Sequence, residues 1–202
     1  MDGLKRCFAG CVVLFVGLIL FVGCGGQAEE ETVPGTDEAT MQEGEGTLGP
    51  DLDPAIRLEV EQALGTFATV ASGMTDRDTD KVFAMLQTYM RENPQIYGAA
   101  FAFAPEDNGG VKSAPYVFRQ GDTLVEKNLI DSYDYTAPEQ MWYVTPVETK
   151  APVWTDPYFD EGGGDVWMVT YAIPVYTTAD ALELIGVVTS DVLIPEPSAN
   201  DQ

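Results

Sequence analysis

Of 202 residues, 33 are Asp or Glu, 10 are Lys or Arg and none is histidine, giving a net charge of −23. So acidic a chain repels phosphate backbones and anionic lipid headgroups, which argues against a nucleic-acid partner and favours cationic ligands. Lack of histidine removes the familiar catalytic triads and His-ligated zinc sites.

At the N-terminus, Lys5 and Arg6 precede an apolar run over residues 7–23, "CFAGCVVLFVGLILFVG", followed by Cys24 and two glycines. A basic start, an apolar middle and a small residue at the cut make a secretory signal. The run "FVGC" resembles a bacterial lipobox, in which the cysteine becomes the lipidated first residue, although Phe21 stands where leucine is commoner. The reading is a signal peptide over 1–23 with lipid on Cys24. An uncleaved anchor is the alternative, but the run lies at the short limit for spanning a bilayer. Cys7 and Cys11 leave with the signal, so the mature chain has no thiol for a disulfide, a zinc site or a nucleophile. Residues 24–50 are acidic and poor in packing residues, and read as a disordered tether.

The folded part is read as 51–195, one domain, with a polar tail over 196–202. Asp53-Pro54 is a helix start, an N-cap acid with proline in the first turn. Ile56, Val60, Leu64, Phe67, Ala71 and Met74 then recur at helical spacing, and Val82, Phe83, Leu86, Tyr89 and Met90 continue beyond the polar run 75–80. These are one long bent helix or two, ending before Pro94. Strand-like segments follow at 95–105, 114–120, 123–127, 165–177 and 184–194. "NGG" at 108–110 and Gly121-Asp122 read as turns, a loop is expected near 178–181, and 138–143 reads as a short helical turn. Helix followed by a run of strands gives an α+β class, with the helix laid on an antiparallel sheet of about five strands.

In order and spacing, "NPQIYGAAFAFAP … YDY … WYVTPVETKAPVWTDPYFDEGGG … VTYAIPVY … GVVTSDV" resembles a Cache domain, the PAS-like extracytoplasmic sensor fold of bacterial chemoreceptors and kinases, in particular the membrane-distal module of double Cache sensors. The resemblance covers about residues 52–195. By that resemblance the ligand-binding set is Tyr135, Gln140, Trp142, Tyr143, Tyr158, Asp160 and Asp191. Gln140 departs from the pattern, since the amino-acid-binding members carry arginine there.

These residue types suit a positively charged guest. Aromatic faces attract an ammonium by ~0.5–2 kcal/mol each when desolvated, and carboxylates accept its charge-assisted hydrogen bonds. Asp191 shares a strand face with Val187, Thr189 and Leu193, where a lone charge needs a partner. The plainer alternatives are that Trp142 and Tyr143 are core, that Asp160 caps the turn of Gly162–Gly164, and that Asp191 pairs with Arg119 or Lys127. A glutamine amide cannot replace the bidentate grip of a guanidinium on a carboxylate. The expected ligand is therefore an amine, a quaternary ammonium compound or, less directly, an amino acid, unless Arg119 substitutes from a neighbouring strand. No cofactor is implied. Asp156, Asp160, Glu161 and Asp165 lack EF-hand spacing, so no metal site is read. No Lys, Ser or Thr follows the glycines to cradle phosphate.

Two function classes follow. One is a lipid-anchored extracytoplasmic sensor or binding domain, passing its signal through a partner such as a membrane kinase, chemoreceptor or transporter. The other is a structural or interaction lipoprotein that keeps the fold without binding a ligand. A hydrolase using Asp156 and Asp160 as an acid–base pair is a distant third, so the chain is read as no enzyme. The long helix also makes a homodimer an expectation.

Overall fold

The computed structural model describes residues 52–74, 77–105, 111–177 and 183–196. The signal, the tether, most of the tail, the 108–110 turn and the 178–181 loop lie outside them.

The helical stripe resolves into two helices, α1 (Pro54–Ala71) and α2 (Thr79–Glu92). Asp53 caps α1 as expected, its Oδ1 accepting from Ala55 N at 2.7 Å. The break arises because a second cap follows. Asp78 Oδ1 accepts from the Asp80 and Lys81 amides, satisfying donors that a continuing helix would have paired internally.

The described residues then form β1 (Gly98–Phe103), β2 (Pro115–Gln120), β3 (Thr123–Asn128), a 3₁₀ turn (Leu129–Asp131), α3 (Met141–Thr149), β4 (Val153–Trp154), β5 (Tyr158–Phe159), β6 (Trp167–Tyr176) and β7 (Leu184–Leu193). The seven strands make one antiparallel sheet ordered β3-β2-β1-β7-β6-β4, with β5 also on β6. This is an α+β, PAS-like arrangement. The two strands beyond the expected five are β4 and β5, each two residues long and too short to show alternation. The helical turn expected at 138–143 is instead the nine-residue α3. It runs through Pro146, although proline lacks the N–H for the interior ladder.

Alternation along the strands divides the core. Ala99, Phe101, Phe103, Val117, Val169, Val175, Val188 and Val192 pack against Val60, Leu64, Leu86 and Met90 of α1 and α2. Residues of opposite parity, including Ala100, Ala102, Tyr116, Ala172 and Val187, face α3 and the loop before it, where Leu129, Tyr135, Trp142 and Tyr143 are buried. Asp191 has the parity of Val187, so it lies on the α3 side.

Candidate functional site

Sheet register puts Asp191 opposite Gly98 of β1 and Thr170 of β6. Thr170 Oγ1 donates to Asp191 Oδ1 at 2.8 Å. With that proton engaged, the Tyr158 hydroxyl is the donor in its 2.8 Å bond to Thr170 Oγ1. A β-carbon at position 98 would stand 2.2 Å from Tyr116 Oη and 2.7 Å from Asp191 Oδ2, so only glycine leaves room for both groups. The Tyr116 hydroxyl favours the charged form of Asp191. Yet it is buried without a hydrogen bond of normal geometry.

Asp160 approaches from the turn after β5. Its carbonyl accepts from Gly163 N and Asp165 N, and its Oδ2 accepts from Gly164 N at 2.8 Å. A β-carbon on Gly163 would fall 1.9 Å from that Oδ2, and Gly162 takes φ +77°. The glycine run therefore wraps one carboxylate, as the plainer reading of Asp160 anticipates. Oδ1 is left to accept from the Tyr133 hydroxyl at 3.4 Å.

Two adjoining hollows meet at these acids. The inner one, about 10 Å³, is lined by Ala100, Tyr116, Leu129, Thr189 and Asp191 together with Tyr133, Trp142, Tyr158 and Asp160. Those last four residues also line an outer chamber of about 950 Å³, which adds Gln140, Glu139, Asp156 and Glu161 among others. Neither lining contains a lysine or arginine. The nearby Lys127 donates to the Gly162 carbonyl.

The two acids are poorly solvated, Asp191 being 4 % and Asp160 7 % exposed. Burial, then the charge of Asp160, pushes the Asp191 carboxyl up to about 7, against the hydroxyls of Thr170 and Tyr116. Burial also raises Asp160, against the Gly164 amide and the Tyr133 hydroxyl. Burial first, then the neighbouring carboxylates, holds Tyr116, Tyr133 and Tyr158 upward, so all three stay neutral. Two underpaired carboxylates ringed by neutral aromatics form a trap for positive charge.

Trp142, Tyr158, Asp160 and Asp191 thus converge on one hollow. Gln140 lines the outer chamber, and its Oε1 accepts from Trp142 Nε1 at 3.0 Å, so it braces the indole. Tyr135 and Tyr143 line neither hollow. Tyr135 donates to the Phe103 carbonyl at 2.7 Å, and its ring meets Tyr143 edge-on with centroids 5.1 Å apart. The plainer alternative, in which Asp191 pairs with Arg119 or Lys127, is not what the structure shows, since both bases donate to backbone carbonyls. Arg119 turns to the α1–α2 side and donates to the carbonyls of Met90, Asn93 and Ile96, so it cannot stand in for the missing arginine either. Sequence reasoning missed Tyr133, Tyr116 and Thr170. Tyr133 was within reach, since "YDY" offers two tyrosines and the register of the loop selects the first. Among the described residues no group of three acids is arranged to hold a metal ion.

Residues 82–196, more than half of the chain, match the family model described as methyl-accepting chemotaxis protein-like, first PDC sensor domain. The chain belongs to that family. The PDC domain here is accordingly a sensor module and not an enzyme, as the Cache-like order of its motifs implies. It is similar to the extracellular domain of a protein described as a histidine kinase, soHK1S-Z6, at 29% identity and a TM-score of 0.53, covering 66% of this chain and 52% of that one. It is also similar to the extracellular domain of mmHK1S-Z3, similarly described, at 25% identity and a TM-score of 0.48, covering 69% and 51%. A third likeness is the ligand-binding domain of the Pseudomonas aeruginosa PAO1 chemoreceptor PctC in complex with GABA, at 14% identity and a TM-score of 0.46, covering 69% and 57%. The chain spans about half the length of these solved structures. No curated protein matches it. An extracytoplasmic location fits the PDC family, and no helix among the described residues is long and apolar enough to cross a membrane.

Proposed function

We propose that this PDC domain senses or binds a small amine-containing metabolite outside the cytoplasm, while lipid on Cys24 holds it to the membrane. Residues 1–23 are then the signal, 24–50 the tether and 51–195 the ligand-binding domain. A membrane kinase, chemoreceptor or transporter carries the signal onward. The observation behind the ligand class is the convergence of Asp160 and Asp191 with the rings of Trp142, Tyr158 and Tyr133 on one hollow whose lining has no base. Gln140 supports an amine over an α-amino acid, because its carbonyl is engaged with Trp142 and it carries no charge for a carboxylate.

Calorimetry of the full chain against amines, quaternary ammonium compounds and amino acids tests this. Binding of amines that is lost in Asp191→Asn and survives Gln140→Ala is the expected result. If no cation in the panel binds or shifts the melting temperature, the reading falls. Labelling with a radioactive fatty acid that persists in Cys24→Ser would remove the lipid anchor from it.

The volume of the inner hollow favours a second reading. About 10 Å³ holds roughly one water molecule, so the protein's own side chains nearly fill the space beside Asp191. A structural or interaction lipoprotein would keep such a pocket closed. Capture of an envelope partner unaffected by Trp142→Ala and Asp191→Asn, together with an empty ligand screen, supports that reading.

A further inference from the structure

The inner hollow, as it stands, is too small for an organic cation. About 10 Å³ is the room of one water molecule, so a larger guest beside Asp191 needs the walls to part. The space is nonetheless polar and unfinished. The Tyr116 hydroxyl lines it, 2 % exposed and without a hydrogen-bond partner. A buried polar group left so is costly, and it marks a place for something of water's size or less.

From this hollow a chain of hydroxyls leads outward. Thr170 Oγ1 donates to Asp191 Oδ1 at 2.8 Å, and the Tyr158 hydroxyl donates to Thr170 Oγ1 at 2.8 Å. Tyr158 lines both hollows, so the chain starts at a residue of the outer chamber and ends on the buried acid. A hydroxyl both donates and accepts, so each bond can run either way, and the charge on Asp191 decides which.

We propose that Asp191 is a proton-sensing centre, which in the ligand-free domain takes up one proton from the medium along Tyr158 and Thr170 and thereby relaxes the turn that carries Asp160. The Thr170 hydrogen passes to Asp191 Oδ1, the Tyr158 hydrogen passes to Thr170 Oγ1, and a hydronium proton replaces it on Tyr158 Oη. One negative charge is lost and nothing is oxidised or reduced. The bonds then run from Asp191 to Thr170 to Tyr158, the reverse of the charged state. This does not rest on the amine reading and stands even if no amine binds.

The groups around Asp191 leave the proton to this carboxyl. Tyr97 before β1, Tyr116 of β2, Tyr158 of β5 and Tyr133 of the loop before α3 all feel its charge, as does Tyr89 of α2 across the sheet, and all five are held neutral. The nearby charges are Asp160, with Asp165 behind it in the turn, and Lys127, which donates to the Gly162 carbonyl. Burial and the charge of Asp160 hold the Asp191 carboxyl up at about 7, so the change falls where the medium crosses neutrality. Asp160 follows β5, two residues paired with β6, and its Oδ2 accepts from Gly164 N at 2.8 Å. Neutralising Asp191 removes the repulsion on Asp160, and the Gly164 amide reports it.

NMR of the full chain in amine-free phosphate buffer, from about pH 5 to about pH 9, follows the Asp191 carboxyl carbon and the Gly164 amide proton together. Both are expected to titrate with one midpoint near neutrality, and in Asp191→Asn the Gly164 amide is expected to lose that transition. Thr170→Val keeps both carboxyls and the β-branched shape but removes a donor to the charged form, so the midpoint should move upward. An Asp191 midpoint at the ordinary carboxylate value, about 4, overturns the proton uptake. A Gly164 amide that ignores the Asp191 transition overturns the sensing role. A midpoint unmoved or lowered in Thr170→Val overturns the hydroxyl chain.

Discussion

Acidification below neutrality is a direct probe of Asp191, because the empty protein holds this carboxyl at about 7. A cation needs the charged form. At about pH 7.5 roughly three-quarters of the empty molecules carry it, and at about pH 5.5 roughly 3 % do, from the titration of a single group. Apparent affinity for a cation should then fall ~25-fold over those two units, a shift of ~2 kcal/mol. Asp160, itself raised by burial, can only add to the fall. Tyr116, Tyr133 and Tyr158 are neutral throughout the window, and the ammonium probe stays charged, so neither offsets it. Calorimetry in two buffers of different ionisation enthalpy measures the affinity and the protons released together. Release should approach one proton per ligand near pH 5.5, and Asp191→Asn, which keeps the acceptor for Thr170, should show neither amine binding nor linked proton release. Affinity independent of pH in the native chain would refute the reasoning, even if binding were tight.

Without ligand, the same shift acts on stability with a defined sign. A carboxyl raised in the folded state contributes most below its unfolded value and loses that contribution as pH rises through about 7. The empty protein should lose ~4 kcal/mol, at most, between about pH 4 and pH 8 from this group, and denaturant titration of Asp191→Asn should show a flatter profile. Gly163→Ala drives a methyl into Asp160 Oδ2, 1.9 Å away as the backbone stands. It should cost ~1–3 kcal/mol and weaken amine binding, and an unchanged denaturation midpoint would contradict the packing described for that turn. Gln140→Leu removes the acceptor from Trp142 Nε1. A loss of ~1 kcal/mol or less is expected, because the group is only partly buried, along with altered tryptophan fluorescence.

Where the sequence carried strong periodicity, the fold was legible. The helical stripe, the Gly121-Asp122 hairpin and the two long C-terminal strands follow from spacing and turn residues alone. The short edge strands were not, since two residues cannot display a period and their pairing depends on β6 already being in place. For the site, the acids were easier to find than the aromatics. Asp191 is conspicuous on an apolar strand face, and Asp160 sits beside a glycine run. Tyr135, by contrast, differs from Tyr133 only in direction, and a loop between a 3₁₀ turn and a helix gives no alternation from which direction could be read. Tyr116 belongs to the site through strand register, which ties together residues far apart in the chain.

β4 is two residues long and faces two ways. Val153 and Trp154 stand in the wall of the outer chamber, yet the Trp154 indole reaches through to α1, donating to Glu61 Oε1 at 2.8 Å beneath the Arg57 guanidinium, 5.1 Å from the ring. An occupant pushing this edge strand outward must therefore drag α1 along or break the Trp154–Glu61 hydrogen bond that joins them. The thinnest part of the sheet thus joins the chamber wall to the helical layer on its other side.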